Sequence, residues 1–102
     1  MSVFRVRVNG ENLVGVFDGK DIPCGFIKNE YVWARDEPEA REKALALVHQ
    51  KIDRHPSLRR RVDIEMKIEI EEVESGFTPL RLLKEEGFVF YAAEEESPSS
   101  DQ

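Results

Sequence analysis

Cys24, His49 and His55 are the residues of this chain that could combine into a nucleophile and a base. A thiol attacks as the thiolate, and it needs a neighbouring base or a positive field to become one. Cys24 precedes a predicted strand and His49 lies on a predicted helix, so no spacing forces thiol and imidazole together. An unreactive thiol and surface imidazoles are expected. Metal binding by the same trio has no better support, because the chain holds no His-x-x-x-His or Cys-x-x-Cys pair. His49 and His55 would fall on different faces of a helix. One cysteine also excludes an intramolecular disulfide and a multi-cysteine zinc site. Asn9-Gly10 and Asp18-Gly19 are turn formers outside any phosphate-cradling glycine pattern. The carboxylates between Asp63 and Glu71 share the polar side of one predicted strand, whereas a hydrolase pair needs one carboxyl in an apolar pocket. No catalytic residue, no cofactor and no metal ligand is therefore predicted, and the chain reads as a non-enzyme.

Binding chemistry has better candidates. Arg59-Arg60-Arg61, with Lys51 and Arg54 one turn back, forms a basic corner whose guanidinium groups could bind phosphates. Tyr31 or Trp33 could stack a base or anchor a partner. Strand alternation sends Tyr31 and Trp33 to one sheet face and Val32 to the other, and a core position for Trp33 beneath the helix is expected. Against a nucleic-acid role stands the net charge of −6, which repels a polyanion at long range. Cations at a helix C-terminus also counter the helix dipole.

That charge is unevenly spread. Residues 1–61 carry 12 basic and 9 acidic side chains, a balance of +3, and residues 62–102 carry 3 and 12, a balance of −9. Four of the negative charges lie in residues 94–102, a stretch with no apolar side chain to offset ordering entropy. We expect residues 1–93 to form a single domain and 94–102 to be a disordered acidic tail. With 102 residues, 40% of them hydrophobic, the chain can bury roughly 65% of its unfolded surface. No apolar run approaches the ~18 residues of a membrane span, and Arg5 and Arg7 interrupt the first apolar stretch, which is wrong for a secretory signal. A cytoplasmic protein is expected.

The elements that must position these residues follow from periodicity. Phe4, Val6 and Val8 alternate with Arg5 and Arg7 as in a half-buried strand. Asn9-Gly10 then predicts a hairpin turn, with Leu13 to Phe17 as the return strand. Asp18-Gly19 predicts a second turn and Gly25 to Ala34 a third strand. Asp36 is an N-cap with Glu39 three residues on and Pro38 in the first turn. Ala40, Ala44, Leu47, Val48 and Ile52 form one apolar helical stripe, and Pro56 predicts an end near Arg54. Val62 to Ile70 alternates with charged residues and predicts a long strand that ends or bulges near Glu72. Thr78-Pro79 opens a short helix that Gly87 would stop, and Phe88 to Ala92 reads as a last short strand. The fold class is α+β: an antiparallel sheet of four to five strands, in the order β-β-β-α-β-α-β, with one long helix on one face. The other face would show Arg5, Arg7, Glu65, Lys67 and Glu69 to solvent.

The run Gly25-Phe26, Tyr31-Val32, Ala34, then Glu39-Ala40, Ala44 and Val48, resembles a group of short bacterial proteins of unassigned function. Glu69-Ile70-Glu71-Glu72-Val73 and Gly87-Phe88-Val89-Phe90-Tyr91 extend the resemblance, and Ile27-Lys28-Asn29 departs from it. It implies a fold and no activity. The order β-β-β-α-β, with Asp36-Glu37-Pro38-Glu39-Ala40 opening the helix, is also similar to HicB-type antitoxin domains, which bind and cover a small ribonuclease toxin. The expected function is a small non-catalytic interaction or regulatory module that binds a protein partner or forms a homodimer. The alternatives are nucleic-acid or phosphate binding through Arg54, Arg59, Arg60 and Arg61, and HicB-like antitoxin action. No membrane partner is expected.

Overall fold

A computed structural model describes residues 1–93; the acidic stretch 94–102 lies outside the described residues. Its spine is a long hairpin. Strand β1 (Ser2–Phe17) returns as β2 (Lys20–Ala34) through Asp18 and Gly19, both at positive φ. Such a pair makes a two-residue turn whose twist matches that of the strands it joins. The predicted turn at Asn9-Gly10 does not form. β1 continues through it, and the aromatic ring of Phe26 lies across Gly10, where a Cβ would come within 2.2 Å of the ring. That glycine serves packing and not reversal. The ladder is disturbed between Gly10 and Leu13 instead, with Asn12 at φ 66°. The first three predicted strands are therefore two.

Helix α1 (Glu37–Arg54) has the predicted bounds. The Asp36 carboxylate accepts from the Glu39 N–H at 3.1 Å. The Glu39 carboxylate reaches the N–H of Arg35 and not that of Asp36, so the reciprocal bond that an Asp-x-x-Glu cap would make is displaced by one residue. This bond, more than the nearby Arg35 and Lys43 charges, holds Glu39 below the usual carboxylate range against some desolvation. Ala40, Ala44, Val48 and Ile52 are buried and Leu47 packs beside them. They cover Val6, Val8, Leu13, Cys24, Phe26, Val32 and Ala34 on one sheet face.

Strands β3 (Leu58–Arg60) and β4 (Lys67–Phe77) lie end to end along the same edge of β1. β3 pairs with residues 13–15 and β4 with residues 3–11, so the bulge of β1 at Asn12 falls between them. Residues 61–66 loop out there, tied by Arg61 to Asp63 and by the Asn12 amide to the Glu65 carbonyl. Hence the alternating stretch Val62–Met66 is not strand, and Val62 is fully exposed. The Arg-rich segment before it supplies a strand that alternation did not announce. The register of β4 shifts between Ile70 and Glu72, and the strand runs on to Phe77. A 3₁₀ helix (Pro79–Leu83) follows; Thr78 caps it by position but with no side-chain bond, and it stops at Leu83, before Gly87. β5 (Val89–Ala92) pairs with residues 24–27 of β2. The result is one five-stranded antiparallel sheet, β3 and β4 sharing one flank of β1, then β2 and β5, with α1 on one face. The element order is β-β-α-β-β-3₁₀-β, and α+β describes it. No helix among the described residues is long and apolar enough to cross a membrane.

Candidate interaction surface

The basic corner is assembled but neutralised. Arg59 pairs with Asp21 (2.8 Å), Arg60 with Asp53 (3.0 Å) and Arg61 with Asp63 (2.7 Å). The Arg60 guanidinium also lies 3.4 Å from Nδ1 of His49. Arg54 is exposed at the end of α1. An incoming phosphate would meet a carboxylate already paired with each arginine of the 59–61 run. Tyr31 and Trp33 are far from this corner. Trp33 opposes Val3 and the corner opposes residues 13–15 of β1, a separation of roughly 30 Å along the ladder. Tyr31 and Trp33 share the face opposite α1, and Trp33 is 42% exposed, so it is not the core aromatic expected beneath the helix. The Tyr31 hydroxyl donates to Glu86 (3.0 Å), and Arg81 stacks on its ring at 4.7 Å.

That face is also less solvated than expected. The 3₁₀ segment crosses its end. Arg5 is largely covered beside Phe77, and it pairs with Glu72 and, at 2.7 Å, with Glu74. Arg7 reaches the Asn29 side chain.

Cys24 is buried in the core, and burial pushes its thiol up, opposed by a hydrogen bond with the Gly15 backbone. Neither imidazole addresses it. His55 Nδ1 accepts from the Ser57 N–H, and its ring packs edge-on against Phe88 and Phe90. An open depression of about 600 Å³ lies between Glu11-Asn12 and β5, with Cys24, Gly25 and Tyr91 in its lining. Among the described residues its titratable groups are the half-buried Glu11 carboxylate, the buried Cys24 thiol and the Tyr91 phenol, which donates to Asn9.

Alternation missed a second charged centre. Cys24, Phe26, Lys28, Glu30, Val32 and Ala34 share the helix-side face of β2, and Lys28 and Glu30 are almost completely buried there. Their ammonium and carboxylate are 3.2 Å apart. Lys51 from α1 binds Glu30 at 2.9 Å, and Glu85 closes the ring on Lys51 at 2.8 Å and on Lys28 at 3.0 Å. Burial by itself would lower the Lys51 pKa, but the carboxylates of Glu85 and Glu30 outweigh it and leave it raised. Lys51 in turn holds Glu85 below the usual carboxylate range. The signal in the sequence was a pair of opposite charges inside an otherwise apolar alternation. This ring fixes residues 84–86 along the part of β2 that β5 does not cover, and Lys28 also donates to the Glu86 carbonyl.

Two surfaces open to a partner are the flanks of the sheet. Among the described residues nothing pairs with the outer edge of β4 or of β5. β4 shows Glu69, Glu71, Glu72 and Glu74 and carries the bulge. β5 shows Val89, 64% exposed, and Tyr91, with no charge from Phe88 to Ala92. An apolar recess of about 270 Å³, lined by Phe17, Ile22, Phe90 and Ala92 among others, adjoins it.

No family model, no curated protein and no solved structure matches this chain.

Proposed function

We propose that this protein is a small non-catalytic interaction module that binds a protein partner, or a second copy of itself, by adding a strand to an open flank of its sheet. The observation that supports this reading is β5, an uncharged edge strand whose outer backbone groups have no strand partner among the described residues and whose apolar side chains are exposed. Natural sheets usually blunt such edges with charge, proline, bulges or very short strands, and β5 has only its length of four residues to guard it. Strand addition takes affinity from main-chain bonds and specificity from alternate side chains, and it needs no cofactor and no reactive group. The neutralised arginines at 59–61 favour this reading over phosphate binding.

Panning a displayed random-peptide library on the purified protein tests it. Selected peptides should perturb backbone amide resonances of β5 or β4. A library that returns no peptide binding more tightly than its scrambled version, or peptides that perturb neither flank, would sink the proposal.

A further inference from the structure

The two flanks differ in a way that identifies what fits each. Self-pairing of β4 would set carboxylates against carboxylates, which is destabilising, and its bulge breaks the row of backbone groups. β5 carries none of these guards.

The hydrogen-bond phase of β5 can be read off its end. The Ala93 N–H donates to the Pro23 carbonyl at 3.1 Å. In an antiparallel ladder bonded and non-bonded positions alternate. With Tyr91 opposite Gly25 and Val89 opposite Ile27, those two residues turn their N–H and C=O groups inward to β2. Phe90 and Ala92 therefore turn theirs outward, to the free side.

We infer that β5 pairs antiparallel with β5 of a second copy, joining two five-stranded sheets into one across a two-fold axis at Phe90. This rests on the interaction-module reading and names the partner. The register follows from composition. Centred on Phe90, the pairing sets Phe90 against its copy, Val89 against Tyr91 of the second copy, and Phe88 against Ala92 of the second copy. No charge falls among the five positions. Moving the axis to Tyr91 would instead oppose Phe88 with Glu94. A β-branched residue facing an aromatic is a favourable cross-strand pair. Both outward positions then lie at bonded sites, Phe90 with its copy and Ala92 with residue 88. The chain's own residues 94–102 hold no apolar side chain that could match Val89 and Tyr91, so they are a poor occupant of the same edge.

The phase gives a sharp test. Proline lacks the N–H and is tolerated on an edge strand where that N–H faces outward. Its demand for an extended preceding residue is met by Tyr91. Ala92→Pro should leave the fold intact and abolish pairing, whereas Tyr91→Pro should break the bond to β2 and destabilise the domain. A strand-edge interface this small associates weakly, so sedimentation velocity should span roughly 10 μM to 1 mM. The full chain should move from monomer towards dimer over that range, and Ala92→Pro should stay monomeric with an unchanged circular-dichroism spectrum. Amide exchange of the unmodified chain gives a second reading if the variant does not fold. Phe90 and Ala92 amides should gain at least tenfold protection at high concentration, while those of Val89 and Tyr91 are protected throughout. A chain that stays monomeric overturns the proposal, as does a dimer that Ala92→Pro leaves intact or one without protection at Phe90 and Ala92. Library peptides that still perturb β5 or β4 would show that the module reading survives this failure.

Discussion

Lys28 is the residue whose environment departs furthest from its type. A lysine is almost never fully buried unless it is paired, and this one is held by Glu30, Glu85 and the Glu86 carbonyl. Breaking a buried ion pair by removing one partner strands the other charge, whereas replacing the whole pair by apolar residues can be neutral. Lys51 remains to answer Glu30, so Lys28→Met should cost about 2–3 kcal/mol in urea unfolding. Adding Glu30→Leu should return stability to within about 1 kcal/mol of the original. Additive losses in the double variant would contradict this account. The same ring sets a pH profile. Glu85 and Glu86 have lowered pKa values, Glu85 chiefly through Lys51 and Glu86 chiefly through the Asn29 amide. Their contribution is full above the unfolded carboxylate pKa of about 4.3 and is lost as pH falls through the lowered folded values. Lys51 has a raised pKa, so its contribution is full below about 10.4 and is lost as pH rises through the folded value. Thermal melts should show a plateau between these limits, and Glu85→Gln should lower that plateau and make the acid limb shallower.

At the scale of elements, the Gly-Phe pairs of the sequence become one packed unit. Tyr91 of β5 lies across Gly25 of β2, where a Cβ would come 2.5 Å from the ring and 2.7 Å from the Gly10 carbonyl oxygen. Phe88 meets Phe26 edge-on at 4.9 Å, and Phe26 covers Gly10. Backbone cannot retreat as a side-chain tip can, so Gly25→Ala should cost about 1–3 kcal/mol and loosen β5. The check is a lowered urea midpoint together with faster exchange at Val89 and Tyr91 than at the hairpin turn; an unchanged midpoint would refute it. The same residues show how far the sequence could be read. The stripe from Ala40 to Ile52 and the Asp36 cap gave α1 to the residue, because helix periodicity and capping are local. Asn9-Gly10 misled because a glycine needed for a ring looks the same as a glycine needed for a turn. Val62–Met66 misled because strand formation requires a partner, and the stretch of β1 beside it is bulged at Asn12. Of the candidate contact residues, the arginines were legible as a cluster. Their carboxylate partners Asp21 and Asp53 come from β2 and α1, which spacing along the chain does not reveal. The free flank of β5 depends on strand order, and no local pattern encodes that.

For the whole molecule, the β1–β2 hairpin is the part that can form from neighbouring residues, and every other strand docks on it from a distance. β4 pairs Val3 with Phe77 and Arg5 with Glu74, contacts that close most of the chain length and carry the corresponding loop entropy. Topologies rich in such contacts fold slowly, on the millisecond to second scale. They are expected to nucleate where closure is cheapest. That places the hairpin turn in the folding transition state and the β4 flank after it. Gly19 has φ 76° and nothing near its missing Cβ, so Gly19→Ala acts through backbone strain of about 1–2 kcal/mol and not through a clash. It should slow folding and leave unfolding nearly unchanged. Val73, half-buried on β4, belongs to the late flank. A Val73→Ala loss of about 1 kcal/mol should raise the unfolding rate about fivefold with little effect on folding. Stopped-flow chevrons of both variants separate the two limbs. The reverse pattern, with Val73→Ala slowing folding, would mean that the distant β1–β4 pairing forms first. The flanks would then be the founding contacts of the fold, and not late additions to a preformed hairpin.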